Sequence, residues 1–396
     1  MKSVLAIVNT GKITQNQNGG ASVYYSHLEL LSKAGFKIEL LTVSWDDNTP
    51  FNKDDYNEIG SFINALHHYI IKSVRPKKNL KRLYDAVFNP AAFEYYFLNK
   101  SNKTFLKSFV ANNKIDLVWA EWRWAAILAR WTDLKVPVIY AHHDWEYKLA
   151  LLRNKPNFLK RFHTFQKKRI EKQLVKGVTA CVSGSFTEAS EIAQISAKPA
   201  LYLSTTYDEI KPKLKPRGTP AIVHLGGMGT TANRLGLERF LDVCWSQIKL
   251  EAPRVKLIVI GGLEAAQPSL KEKLKDDNIT CFGFVEQLND NLYPNDIHIV
   301  PWEYNTGTRT RIPLVFNYEQ VLVATKASVA CYPELKHDIN CILCADLPDM
   351  TKQISDLYKD QNKIHKLAHQ GKKTFKNYFT AESQVNNLKQ FLEDIL

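Results

Sequence analysis

The chain has 396 residues, 45% of them apolar and 23% charged, an ordinary globular composition that excludes a low-complexity or disordered polymer. One core is too small for this length, so two domains of similar size are expected. The net charge of +13 is uneven, with 10 Lys/Arg against 2 acids in residues 67–114 and 10 against 1 in residues 148–176, so an anionic partner is expected on the first half.

Six cysteines (181, 244, 281, 331, 341 and 344) are scattered, mostly in apolar runs, which predicts buried thiols in a reducing compartment. Cys341 and Cys344 have CxxC spacing, but no second pair or histidine lies nearby, and structural zinc needs four ligands. No metal site is expected. The opening MKSVLAIVNTG is too short and strand-like for a signal peptide, and no window approaches the ~20 apolar residues that span a bilayer. The expectation is a cytoplasmic protein, not integral to a membrane.

In chain order, residues 3–8 read as a buried parallel strand, followed by a loop ending in Gly19-Gly20, a helix over 21–34 and a strand over 36–43. This is a βαβ unit with a glycine pair where backbone can approach a ligand. It lacks GxGxxG, so a nicotinamide or flavin is not indicated. Residues 61–112, with HHYIIKSVRPKKNLKRLYDAVF, read as helical, their aromatics and lysines suiting an anionic membrane surface. The alternative is a helix packed on the core with solvated lysines. No nucleic-acid recognition module is visible.

Residues 115–120 and 136–140 read as strands separated by the aromatic helix WRWAAILARW. His142-His143-Asp144 follows the second strand, where a histidine can donate a hydrogen bond or carry a proton and an aspartate can orient it; a capping Asp beside structural histidines is the plain alternative. A strand at 178–182 and a short one at 201–204 complete the first half. Residues 205–220, with three prolines and no periodicity, read as a linker.

The second half repeats the alternation, with strands at 221–225, 255–260 and 279–282 each ending in glycine, and helices over 233–250 and 264–275. The stretch 296–325 organises the chain: a strand, a loop with Gly307, Thr308, Arg309 and Arg311, a helix from about 312, and a strand over 321–325. Two guanidiniums beside a helix start, at the carboxyl end of a parallel strand, suit a diphosphate.

These segments together resemble the GT-B glycosyltransferases, specifically the retaining family 4 of bacterial surface polysaccharide synthesis. The carriers are GGASVYYSHLELLSKAGFKIELLT, VPVIYAHHDWE, ACVSGSFTE, IVHLGGMGTTANRLGLERF, LIVIGG, ITCFGFVEQL, NTGTRTRI and VLVATKA. The resemblance implies an α/β fold of two Rossmann-like domains facing across a cleft. The boundaries are then 1–204, a linker at 205–220, 221–378, and a final helix at 379–396 returning to the first domain. It implies transfer of a sugar from a nucleotide-sugar donor to a glycan or lipid-linked acceptor, retaining and without a metal or other cofactor. Gly19 and Gly20 would approach the donor, and His143 or His142, with Asp144, would serve the sugar. Gly226, Gly227, Gly262 and Asn233 would lie near the diphosphate, Val285 would pair with the base, and Thr308, Arg309 and Arg311 would neutralise the phosphates.

One position departs from the family pattern. Where many relatives carry a ribose-binding Glu, this chain has Leu314, and Glu319 is the substitute in reach of the sequence, although five residues on a helix turn it about 140° away. A catalytically weak GT-B-like subunit that binds nucleotide or glycan without turnover is therefore the alternative function.

Overall fold

The computed structural model describes residues 1–15, 19–45, 50–73, 84–85, 87–153 and 157–396. Two compact units divide the chain. The first comprises Met1–Thr205, Thr306–Thr308 and Gln384–Leu396, and the second Thr206–Asn305 and Arg309–Ser383. Most of the last helix, Ala381–Glu393, thus returns to the first unit, as the resemblance implied.

In the first unit, β1 (Ser3–Asn9), β2 (Lys37–Ser44), β3 (Ala65–Ile70), β4 (Leu117–Glu121), β5 (Val138–His142), β6 (Ala180–Ser183) and β7 (Ala200–Tyr202) form one parallel sheet. Its order is β3-β2-β1-β4-β5-β6-β7. Val4 to Val8 are all buried, because helices on both faces of a parallel sheet leave its central strands no polar side. The second unit has a parallel sheet of β8 (Ile222–Leu225), β9 (Leu257–Ile260), β10 (Ile279–Gly283), β11 (Ile297–Val300), β12 (Val321–Thr325) and β13 (Ile342–Cys344). Its order is β10-β9-β8-β11-β12-β13. In both sheets the strand order reverses beside the first strand, between β1 and β4 and between β8 and β11. Ligands of doubly wound sheets bind at that reversal, beyond the carboxyl ends of the strands.

The structure corrects the expectation of a continuous helical region over 61–112. Ala65–Ile70 is the edge strand β3, paired in parallel with β2, and among the described residues helix is found at 84–85, 87–88, Pro90–Glu94 and Lys100–Asn112. On this strand the aromatics face neighbours, the Tyr69 ring stacking on Phe105 of the covering helix at 3.6 Å and His67 bonding Glu39 on β2 at 2.7 Å, whereas Tyr84 and Phe88 of the same stretch are exposed. Much of the remaining basic run, residues 74–83 and 86, lies outside the described residues, as do 154–156 of the second basic stretch. The helix expected over 264–275 shortens to Pro268–Lys273, and the one over 233–250 starts at Thr231 and runs to Glu251 with a π turn at Leu241–Trp245.

The linker is fastened to the second unit. Tyr207 N donates to Phe379 O at 2.9 Å, and Lys372 Nζ donates to the carbonyls of Ile210 and Asn317 at 2.7 and 2.9 Å. Cys344 on β13 and Cys341 just before it are buried free thiols, that of Cys341 pushed up to about 12 by burial. Among the described residues, no helix is long and apolar enough to cross a membrane, and no group of three or more His, Cys, Asp or Glu could hold a metal ion.

Candidate functional site

In the second unit, the glycines expected near the diphosphate are joined by backbone hydrogen bonds. Gly226 N donates to Ile260 O at 2.7 Å, Met228 N to Gly262 O at 2.9 Å, and Gly261 N to Gly283 O at 2.7 Å, so the turns beyond β8, β9 and β10 are laced together by backbone. Gly261, at φ +135°, has no room for a Cβ, which would lie 2.6 Å from Gly226 O. Glycine here permits loop-on-loop packing. The space above Gly226, itself at φ +144°, is filled by the Asn233 amide and the Arg311 guanidinium, whose Nη1 lies 2.7 Å from where a Cβ would stand.

Arg311 donates to Leu225 O through Nη1 and to Asn233 Oδ1 through Nη2, while Asn233 Nδ2 donates to Gly227 O at 3.1 Å. Burial and neighbouring Arg309 push the Arg311 guanidinium down to about 9. No carboxylate pairs with it among the described residues. Beneath it, His224 on β8 and His298 on β11 are fully buried, and both are held well below the ordinary imidazole range, His298 at about 3, chiefly by burial and then by Arg311. The positive charge at the sheet reversal is thus that of Arg309 and Arg311, above two neutral imidazoles.

The other positions expected in this unit separate. Val285 sits in the loop after edge strand β10, and Thr308 groups with the first unit. Glu319 must be corrected. It follows the seven-residue helix Arg311–Asn317 and its carbonyl accepts from Asn295 N at 2.8 Å, so it lies by the amino ends of β11 and β12, the opposite end of the sheet from Gly226. Leu314 is packed into the core with only 8% of its surface exposed. A short helix that must return the chain to the next parallel strand carries its last residues away from the carboxyl ends.

The first unit builds a different centre. Glu121, the last residue of β4, is 1% exposed, and its carboxylate meets His27 Nδ1 at 2.6 Å, Trp119 Nε1 at 2.7 Å and His143 Nε2 at 2.9 Å. Burial alone would raise its pKa, but the charge and hydrogen bonds of His27 and His143 hold it at about 2. An ionised carboxylate only accepts, so His143 presents Nε2–H to Glu121 and keeps Nδ1 for another partner. Trp122 stacks on the His143 ring at 4.6 Å and 12°. With Tyr24, Asn9, Thr10, Gly11, Lys12, Gly20 and Ala21 it lines a cavity of ≈ 290 Å³.

Gly20 lines this cavity, and Gly19 begins the helix Gly19–Lys33. His143 stands at the Glu121 centre. His142 does not: its side chain is fully buried, with Nδ1 on Tyr140 OH and Nε2 on Glu188, both at 3.1 Å, which makes it a packed structural histidine. Asp144 follows in the turn before the helix Glu146–Arg153, at whose start Glu171 accepts from the backbone N–H of Glu146 and Tyr147 at 2.9 and 3.2 Å.

A family model described as "Glycosyl transferases group 1" matches residues 219–360, the span of the second sheet and its helices. That span is similar to a group 1 glycosyltransferase domain. Solved structures similar to the whole chain include Anabaena Alr3699/HepE in complex with UDP and glucose, 12% identical over all of both chains with a TM-score of 0.67. A second is S. aureus TarM, solved as a mutant with fondaparinux, α-GlcNAc-glycerol and UDP, 10% identical over 99% of both chains with a TM-score of 0.71. A third is the lipopolysaccharide outer core galactosyltransferase WaaB, 10% identical over 99% of this chain and all of that one, with a TM-score of 0.64. No curated protein matches by sequence search. At such identities the likeness establishes the fold, which is GT-B, and the glycosyltransferase class expected from the sequence stands on this fold and the domain match.

In the second unit, the sequence pointed to Arg309 and Arg311 but not to the tyrosines that hold their loop. Tyr332 OH donates to Arg309 O and Tyr207 OH to Thr310 O, each at 3.1 Å. In the first unit it missed Glu121, His27 and Trp122. A polar residue at the carboxyl end of a parallel strand was the available signal, the same one that led to His143.

Proposed function

We propose that this chain transfers a sugar from a nucleotide-sugar donor to a glycan or lipid-linked acceptor in cell-surface polysaccharide assembly, with retention and without a metal. One observation carries the reading: partly buried Arg311 lies next to Arg309 above Gly226, at the reversal of the second sheet, with no carboxylate paired to it among the described residues. A partly desolvated cation without a counter-charge is costly unless a ligand supplies one, and a diphosphate fits two adjacent guanidiniums. The same groups would take up charge developing on the leaving nucleotide, the part a metal plays elsewhere. UDP bound to HepE and TarM supports a uridine donor, and the fondaparinux and α-GlcNAc-glycerol bound to TarM support such an acceptor class.

In this proposal His143, oriented by Glu121, serves the sugar, and Asp144 stands beside it. Gly19, Gly20, Gly226, Gly227, Gly262, Asn233, Val285, Thr308, Arg309 and Arg311 form the donor-binding set. The enzyme is cytoplasmic and rests on the inner membrane face through the basic residues of 67–114 and 148–176. Exposed Phe162 and Phe165 among the lysines of the helix Phe158–Gly177 support that contact.

A thermal-shift panel of UDP, GDP, ADP and CMP with their sugar conjugates tests the reading, since a ligand at 100 times its Kd adds about 2.7 kcal/mol of stability. A shift with one nucleotide class and release of that nucleotide on incubation with acceptor are expected; no shift with any of them would sink the donor site. The second reading, a subunit that binds without turnover, is favoured by buried Leu314 and distant Glu319, which leave no acid in the usual ribose position. It predicts the shift without nucleotide release.

A further inference from the structure

Seven non-glycine residues among those described have positive φ, and Trp122, at +66°, is the one aromatic among them. The others are Lys, Asp, Ala, Asn and Glu, residues of modest bulk at the ends of helices or in turns. For a bulky side chain the left-handed region is a true outlier, and such strain persists where the surroundings over-determine it. The cause lies in the sequence of contacts on either side. Glu121 ends β4 with its carboxylate turned inward to His27, Trp119 and His143, and the helix Trp122–Thr132 starts at the very next residue, with no loop between them. The left-handed residue makes that strand-to-helix turn. A sharp strained elbow of this kind presents one side chain at the top of a parallel sheet.

What it presents is an indole at the β1/β4 reversal. One face of the ring lies on His143, yet Trp122 remains 37% exposed and lines the ≈ 290 Å³ cavity. The cavity lies at the lower end of the roughly 300–1,000 Å³ of pockets that hold drug-sized ligands, which gives room for one ring. Its remaining wall is polar: Asn9 and Thr10 from the end of β1, Lys12, the backbone of Gly11 and Gly20, and Tyr24, whose hydroxyl burial holds far above its ordinary range. Asn9 Oδ1 is buried without a hydrogen-bond partner among the described residues. The Asn9 amide meets the Tyr24 hydroxyl on one side and leaves its oxygen open to a donor from a ligand.

From this geometry we infer that Trp122 is the stacking platform for a pyranose ring, with its hydroxyls donating to Asn9 Oδ1 and reaching Thr10 and Lys12. The C–H face of a pyranose is apolar and slightly positive, the complement of the negative face of an indole, and its rim of hydroxyls matches the polar wall. His143 supports the platform from behind and is itself held by Glu121. The assignment deepens the glycosyltransferase reading and rests on it for the choice of a sugar as ligand. The ring can belong to the acceptor or to the donor.

Saturation-transfer NMR on the full chain tests it, using the methyl glycosides of glucose, galactose and N-acetylglucosamine, then UDP-glucose against UDP. An acceptor sugar would appear as binding of a methyl glycoside without nucleotide. A donor sugar would appear as tighter binding of UDP-glucose than of UDP. In either case Trp122→Gly, which suits the positive φ but lacks the ring, should weaken that binding about tenfold, and Trp122→Phe should largely retain it. The idea is overturned if neither measure depends on Trp122, if no sugar-dependent binding occurs, or if uridine alone accounts for it. The thermal shift with UDP serves as the separate control. Its loss in the wild-type chain would remove the donor proposal, whereas its retention in Trp122→Gly with loss of sugar binding isolates the platform.

Discussion

Arg311 occupies the space above Gly226, its Nη1 2.7 Å from the point where a Cβ would be placed, and the Asn233 amide is closer still. The glycine thus holds a guanidinium in position. Gly226→Ala should displace both side chains and strain a residue at φ +144°, destabilising the chain by about 1–3 kcal/mol. Melting curves with and without UDP should show a lower midpoint and a smaller nucleotide shift.

Arg309 and Arg311 should separate by stability. Arg309→Ala removes a charge-assisted phosphate contact worth about 1.5–3 kcal/mol, so nucleotide-sugar use should fall by one to two orders of magnitude. Arg311→Met removes a cation whose pKa is depressed to about 9, one that disfavours the fold below that pH and relents as pH rises toward 12.5. Without ligand this variant should melt no lower than the parent at pH 7, while losing the UDP shift. A large drop in the ligand-free midpoint would show that Arg311 is structural instead.

The acid limb of stability should depend on Glu121. Its pKa is lowered from 4.5 to about 2, so its contribution, on the order of 3 kcal/mol, is complete above pH ~4.5 and lost as pH falls through ~2. Glu121→Gln should melt lower at pH 7 and show a flatter decline over that window. The Glu171 carboxyl, raised by burial despite Arg123, works in the opposite direction and is unaffected by the change.

Strain at Trp122 can be measured without any ligand. Trp122→Gly and Trp122→Ala both remove the indole, but only glycine adopts φ +66° freely. Glycine should therefore be the more stable of the two by about 1 kcal/mol in chemical denaturation. Equal stabilities would mean that the turn relaxes once the ring is gone.

Membrane contact, if made through the basic first half, should be electrostatic. Sedimentation with phosphatidylglycerol vesicles should capture the protein at low salt and release it as added salt shortens the Debye length to about 10 Å at 0.1 M and below. Replacing Phe162 and Phe165 by Ser should weaken the capture, since both are exposed on that helix. Binding unaffected by salt would point to a different surface.

By itself, the sequence determined the parallel α/β class, the two sheets and most of their strands, because strands buried on both faces must be written as uninterrupted apolar runs and such runs are visible locally. It also marked Gly20, His143, Arg309 and Arg311, since each stands just beyond such a run or in the loop that follows one. Residues 65–70 were misread because HHYII is apolar and aromatic enough for a helix face; what made it a strand was the open edge of β2, a partner 28 residues away in the case of His67 and Glu39. Glu319 stood close to the site in sequence, but one short helix carried it to the other end of the sheet. Only the tertiary structure joined Glu121 to His27 and His143, 94 and 22 residues away, and only its competing demands on β4 turned Trp122 left-handed. Backbone class follows from local hydrophobic pattern, whereas a site depends on which strand ends the topology makes neighbours, and that is a property of the whole sheet.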